Sequence, residues 1–261
     1  MISSLKSLAS APMLNATQIV LLACCVNGFV ERMVADARSP SPTMLLGLSP
    51  FELLIIFVAI RELRKTSALD SARLAHFLTA GCLLIPSGAV AWVALGAFAL
   101  WLAARAPANE RFGPLLFIGL AVGELWVTVG FKLFATELLA IDAAITAMAL
   151  NLIGFSASVD GNVVNVPGGA DLLVLVSCAT LHRMPLAIVS AIALAGPARL
   201  AVHAEIALLT LIGAGALNAA RLVGMGVSPE WYEFLHNGAG ASLYDAAQTI
   251  LIFLIAMRVR P

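Results

Sequence analysis

"LLIPSGAVAWVALGAFALWLAAR", residues 83–105, carries no charge before its final arginine. From residue 88 to 104 it is almost wholly apolar, close to the ~20 residues that a helix needs to cross a hydrocarbon core about 30 Å thick. Upstream the apolar run reaches back to residue 74, broken only at Pro86, Ser87 and Gly88. Proline beside glycine marks a chain reversal, so the stretch reads as two spans joined in a tight hairpin, the alternative being one long kinked helix.

The rest of the 261 residues repeats this pattern: 61% are hydrophobic, only 11% are charged, and the mean hydropathy of +0.98 is far above that of a water-soluble domain. The expected fold is an all-α polytopic membrane protein with eight spans near 16–33, 45–62, 72–86, 88–104, 113–133, 171–195, 204–224 and 241–258. With no internal repeat or separate soluble part visible, residues 1–261 read as one membrane domain. Fifteen basic residues balance fifteen acidic ones, so nothing points to nucleic acid as a partner. Cys24, Cys25, Cys82 and Cys178 all fall in apolar stretches, where buried free thiols are the default. The opening "MISSLKSLASAPMLNATQ" lacks an apolar segment of its own and reads as a short tail before the first span.

Charge placement orients the bundle, because lysine and arginine accumulate in cytoplasmic loops. With the N-terminus inside, Lys6, Arg61, Arg64, Lys65, Arg73, Arg105, Arg111, Arg199, Arg258 and Arg260 are cytoplasmic, against Arg32, Arg38 and Lys132 outside. That bias supports both termini in the cytoplasm of a cell whose inner membrane holds the protein. It also argues against a further crossing by "TELLAIDAAITAMALNLIGF", 136–155, which Glu137, Asp142 and Asn151 punctuate. This stretch is expected to be an amphipathic helix at the outer surface or across the bundle mouth. After it, Asp160-Gly161 among Val159, Val163, Val164 and Val166 reads as a small extracytoplasmic β-hairpin before span six.

Span six contains "VSCATLHRMP", 176–185, which puts a cysteine, a histidine and an arginine in an apolar setting. Entering from outside at Asp171, it would hold Cys178 roughly 10 Å deep at 1.5 Å per residue. Span seven brings Asn218 and Arg221 to its outer turns, and His236 follows in an outer loop before span eight. Taken singly, the cysteine could be packing, the arginine could snorkel to headgroups and the histidine could be solvated. Together they bring a thiol, a guanidinium and an imidazole to one face.

The run "VDGNVVNVPGGADLLVLVSC", the later "LNAAR" and a histidine before the last span resemble the exosortase and archaeosortase family, best over residues 159–245. The resemblance implies an eight-span cysteine transpeptidase. It also implies exported proteins as substrates, cleaved at a C-terminal motif that precedes a transmembrane helix and a basic cluster. Cys178 then matches the nucleophile, Arg221 the arginine of an Asn-x-x-Arg motif and His236 the histidine. Membrane lipid and an envelope polysaccharide machinery are the further contacts implied. Ala179-Thr180 stand where the family usually has Ser-Gly after the cysteine, Val176-Ser177 replace an acidic pair, and Asn237-Gly238 only approximate the usual continuation. These departures mark a divergent member.

The residues suit acyl transfer, which needs a nucleophile, a proton shuttle and a group to hold the oxyanion. His236 could take the thiol proton, and Arg221 could stabilise the thiolate, the oxyanion or a substrate carboxylate. His182, four residues from Cys178 and so on the same helix face, is a rival partner. Metal binding by Cys178, His182, His203 and His236 is disfavoured because His203 falls at the far end, and no cofactor is implied. Glu124, mid-span, is expected to meet Arg183 or Arg221 or to belong to a proton path, and Asp171 to orient His236 or mark the membrane boundary. The competing classes are a transporter lined by Glu124, Arg183 and Arg221, or a non-catalytic subunit of an envelope polysaccharide export system.

Overall fold

The computed structural model describes residues 14–38, 48–64, 73–82, 84–85 and 87–259. Its helices are α1 (Ala16–Arg38), α2 (Pro50–Leu63), α3 (Arg73–Cys82), α4 (Gly88–Arg105), α5 (Phe112–Leu133), α6 (Ala135–Leu152), α7 (Met184–Ala195), α8 (Leu200–Val227), α9 (Pro229–His236) and α10 (Ala239–Arg258). Among the described residues six are long and apolar enough to cross a membrane: α4, α5, α6, α8, α10 and residues Ala16–Ala35 of α1. The protein is therefore a multi-pass, all-α membrane protein.

Three of the eight expected spans are shorter than the sequence suggested. α2 has 14 residues, α3 has 10 and α7 has 12. α2 starts late because Pro50 fits only the first helical turn, where the Glu52 carboxylate accepts the Ser49 N–H. Pro86 lies outside the described residues, as do Lys6, Lys65 and Arg260. α3 and α4 are nonetheless separate helices packed on each other, with His76 edge-on to Phe98 at 5.4 Å, rather than one kinked rod.

The stretch 136–155 forms α6, which by length and composition is apolar enough to cross a membrane. It packs against the end of the bundle that holds Cys178: Asp142 accepts the Thr180 N–H and Leu150 lies on Gly226 at the end of α8, an arrangement compatible with a helix across the bundle mouth. Asp142 and Thr146 are buried, Asn151 bonds the N–H and carbonyl of Ala157, and Glu137 is exposed.

The core lies in three blocks. α1, α2, α4 and α5 pack around Trp92, Phe29 and Phe117, with Phe29 edge-on to Trp92 at 4.7 Å. Gly28 permits this approach, since a Cβ there would collide with the Trp92 indole. α7, α8 and α10 form a second block through Ala187, Ile206 and Ile252. A third joins Phe131, α6, the end of α8 and a three-stranded sheet, and it encloses Cys178.

That sheet comprises β1 (Ser158–Asp160), β2 (Val163–Asn165) and β3 (Leu172–Leu173), antiparallel in the order β1-β2-β3. Asp160 pairs with Val163 across a two-residue turn whose Gly161 sits at φ 59°, a conformation glycine adopts without penalty. The third strand has no counterpart in the sequence expectation. It is held by Asn162, whose carbonyl accepts the Val174 N–H and whose Nδ2 donates to the Val174 carbonyl, both at 2.9 Å.

Candidate functional site

Residues 171–183 do not form the outer half of a helix. The chain passes from β3 through a single 3₁₀ turn at Val176–Cys178 and irregular backbone before α7 begins at Met184. Pro185 explains the late start: proline lacks an N–H and clashes with the preceding turn, so it is confined to the first turn of a helix. Cys178 and His182 therefore do not share a helix face, and the reading of Cys178 as seven residues into a span is replaced by a turn that bears the cysteine.

Backbone outside a helix survives at membrane depth only when its polar groups are satisfied, and those immediately around Cys178 are held by several bonds. Cys178 N–H donates to Leu175 O at 2.9 Å, Ala179 N–H to Val176 O at 3.2 Å and Thr180 N–H to Asp142 Oδ2 at 2.8 Å. Asn218 Nδ2, from the middle of α8, donates to the Cys178 carbonyl and to Thr180 Oγ1, both at 2.9 Å. Trp126 Nε1, from a π-helical turn of α5 (Trp126–Gly130), donates to Leu181 O at 2.9 Å. The sheet side is anchored as well: Ala170 N–H donates to Gly226 O at 3.0 Å, and Gly169 packs so closely on Gly226 that a Cβ there would clash.

Within this clamp the Cys178 thiol is 3% exposed. Its Sγ lies 3.8 Å from His236 Nδ1 and 3.9 Å from Ser177 Oγ. His236 is not in a loop, as expected, but is the last residue of α9. That helix starts at Pro229 with Ser228 Oγ accepting the Trp231 N–H at 3.3 Å. Tyr232, one turn earlier, stacks on the imidazole at 5.1 Å and fixes its plane.

Arg221 lies three residues beyond Asn218 on α8. Its Nε donates to Leu235 O at 3.2 Å, tying α8 to the residue before His236, and its guanidinium covers the Tyr244 ring at 4.7 Å. Tyr244 Oη donates to Asn218 Oδ1 at 3.2 Å, so α8, α10 and the cysteine turn form one connected polar network. Cys178, Arg221, Asn218 and Tyr244 all face a cavity of about 870 Å³, bounded also by Arg183, Asp245 and the start of α2. The three residues expected from the sequence thus converge.

Other expected partners do not. His182 sits edge-on to Phe131 at 4.9 Å; burial, and then the charge of Arg183, push its pKa down to about 4, so it stays neutral. Glu124 meets neither Arg183 nor Arg221. Arg32 Nη2 donates to it at 2.8 Å, while Arg32 Nη1 donates to Glu52 at 2.9 Å. Arg32 is therefore not a free loop charge but part of α1, holding two buried carboxylates. Asp171 Oδ1 accepts the Val166 N–H at 2.8 Å, shaping the loop before β3 instead of orienting His236. His203 bonds the Gly196 carbonyl at 3.1 Å and stacks on Phe112 at 6.0 Å. All four cysteines are free.

A family model described as transmembrane exosortase matches residues 15–254. The chain belongs to the transmembrane exosortase family. No curated protein and no solved structure matches it. Family membership covers nearly the whole exosortase chain, including the early helices whose likeness in the sequence lay only in number and hydropathy. The resemblance first carried by residues 159–245 is thus extended to both ends of the bundle. Sequence reasoning missed Asp142, Tyr244 and Asn162, each a single polar residue whose partner lies elsewhere in the chain or across a turn. The Pro185 signal was present and would have moved the helix start.

Proposed function

We propose that this exosortase is a membrane-embedded cysteine transpeptidase that processes C-terminal sorting signals of exported proteins, with Cys178 as nucleophile, His236 as proton shuttle and Arg221 as oxyanion donor. The observation that carries this is the 3.8 Å approach of Cys178 Sγ to His236 Nδ1 on the wall of a cavity that Arg221 also lines. Sulfur at that distance is within weak hydrogen-bond reach, and such contacts tighten when substrate binds.

The chemistry follows from what each group has free. Cys178 Sγ attacks the scissile carbonyl carbon as its proton passes to His236. The tetrahedral oxyanion collapses, the C–N bond breaks, and His236 returns the proton to the departing amine. An acceptor amine, or water, then attacks the thioester and regenerates the thiol. Serine and cysteine hydrolases commonly hold the oxyanion on backbone N–H groups beside the nucleophile. Here those of Cys178, Ala179 and Thr180 are already donated to Leu175, Val176 and Asp142. That leaves the Arg221 Nη groups, which have no acceptor among the described residues while Nε holds Leu235 O.

Orientation is part of the same proposal. Arg105, Arg111, Arg199 and Arg258 lie where α4 ends, before α5, before α8 and where α10 ends. This is the end of the bundle opposite the sheet and His236. The positive-inside rule makes that end cytoplasmic, so the site faces outward from the inner membrane, where exported proteins arrive. A substrate helix entering beside α2 and α10 would bring its flanking segment to Cys178. A transport path would need Glu124 available to Arg183 or Arg221, and Arg32 occupies it instead.

The test is co-expression with exported proteins of the same genome that end in a short motif, an apolar helix and a basic cluster. Wild type should shorten one of them, as seen by gel shift and mass spectrometry, and Cys178→Ala should not. Processing that persists in Cys178→Ala, or no processing of any such protein, would move the assignment to transport or polysaccharide assembly.

A further inference from the structure

The sheet ends in a strand that is open on one side and leads straight to the nucleophile. β3 pairs with β2 only, as the outer strand of the order β1-β2-β3. The register determines which backbone groups remain free. Val174 exchanges bonds with Asn162. By the alternation of an antiparallel ladder, Leu172 then bonds Val164, and Leu173, opposite Val163, directs its N–H and C=O away from β2. Leu175 N–H points the same way. Among the described residues none of these three groups has a partner. The two flanking side chains, Leu172 and Val174, are each 1% exposed and pin the strand, whereas Leu173 is 53% and Leu175 43% exposed.

Free edges are liabilities that proteins usually blunt with charge, proline or a covering element. This one carries leucine, valine and leucine, with no charge from residue 172 to 182. An edge left open in this way suits strand addition, in which backbone bonds give affinity and alternate side chains give selectivity. We infer that the β3 edge, Leu173 to Leu175, is the docking rail on which the exported substrate lays an extended segment, as a fourth strand. The inference rests on the transpeptidase reading above.

The occupant follows from what Cys178 must reach. A scissile carbonyl within about 3–3.5 Å of Sγ has to be presented in extended form. The rail ends in the 3₁₀ turn that bears the thiol, and Val176 and Ser177 already line the cavity wall. At about 3.3 Å per strand residue and about 2 Å per 3₁₀ residue, Leu173 stands roughly 11–13 Å upstream of Cys178. The segment on the rail is therefore about three to four residues on the N-terminal side of the cleaved bond. The substrate's apolar helix, on the C-terminal side, lies towards the cavity between α2 and α10, so the segment runs in the same direction as β3.

The experiment uses full-length protein and an exported substrate whose processing requires Cys178. A benzophenone amino acid is placed at position 173, 175 or, as a control on the opposite edge strand, at exposed position 159, each in the Cys178→Ala background to hold substrate uncleaved. Crosslinks from 173 and 175, mapped by mass spectrometry to residues just upstream of the cleavage site and absent from 159, are the expected result. In parallel, Leu173→Pro removes the free N–H without touching a ladder bond, and processing should fall at least 10-fold, while Val159→Pro, the equivalent change on the opposite edge strand, stays within 2-fold of wild type. Equal crosslinking from 159, crosslinks to lipid or to a second copy of the chain, or none at all with a substrate that Cys178 does process, overturns the docking. If no exported protein shows Cys178-dependent processing, the transpeptidase reading itself fails and the rail with it.

Discussion

Asn218→Ala is the perturbation that probes the site's architecture most sharply. The side chain is 3% exposed and makes three hydrogen bonds, two donated at 2.9 Å to the cysteine turn and one accepted at 3.2 Å from Tyr244. Truncation strands the Cys178 carbonyl, and each buried group left without a partner costs about 1–3 kcal/mol. Thr180 and Tyr244 also line the cavity, where water can reach them, so the expected loss of stability is about 2 kcal/mol. Rate should suffer more than stability. The turn owes its position to Asn218 and Asp142, and a displacement of about 1 Å at a reacting group costs about 100-fold. Processing of a Cys178-dependent substrate, thermal unfolding in detergent and the alkylation rate of Cys178 by a maleimide are then compared. The expected pattern is a ~100-fold slower reaction with faster alkylation of the loosened thiol. Tyr244→Phe, which loses only one bond, should cost about 1 kcal/mol and a few-fold in rate. If Asn218→Ala processes substrate within 2-fold of wild type and its thiol is alkylated no faster, the turn is held by something else and the reasoning fails.

Three further outcomes follow. Arg221→Lys keeps the charge but loses the fork and its bond to Leu235 O, so processing should fall by about 100- to 1000-fold, as for loss of an oxyanion donor; near-normal rates would remove Arg221 from that role. Glu124→Gln leaves Arg32 with Glu52 alone, and should lower Tm by about 4–8 °C, equivalent to ~2 kcal/mol, without changing Cys178 alkylation below the transition; an unchanged Tm would show the ion pair contributes nothing net. His182, whose pKa is lowered to about 4 by burial first and by Arg183 second, takes up a proton more readily unfolded than folded. Its effect is absent above about pH 6.5 and destabilises the protein as pH falls from about 6.5 towards 4. Thermal unfolding at pH 7.5 and 4.5 should therefore show a smaller acid loss in His182→Gln, and an identical loss would contradict the assignment.

What could be read in the chain differs from residue to residue for physical reasons. The long spans around Trp92, Phe117 and Ile206 are legible because continuous apolar runs have one stable solution in a bilayer. The hairpin at Gly161 is legible because glycine beside alternating valines specifies a turn locally. Cys178, Arg221 and His236 stood out because polar groups are rare in such a composition. The segment around Cys178 misled because hydropathy alone cannot separate a buried irregular turn from a helix. Its stability comes from Asn218 and Asp142, 40 and 38 residues away, and no local pattern encodes that. The partners of Arg32 were hidden for the same reason: the two buried carboxylates it holds lie 20 and 92 residues away.

The most direct test of the central claim is to trap the covalent intermediate. Membranes containing the wild-type protein and a processed substrate are quenched in acid, digested and searched for an acyl group on the peptide that contains Cys178, with and without hydroxylamine. The account predicts a hydroxylamine-labile thioester on Cys178 that ends at the substrate's cleaved carbonyl and accumulates in His236→Ala only if acylation still proceeds. An adduct on another residue, or substrate cleavage undiminished in Cys178→Ser with no adduct on the Cys178 peptide of wild type, would contradict it.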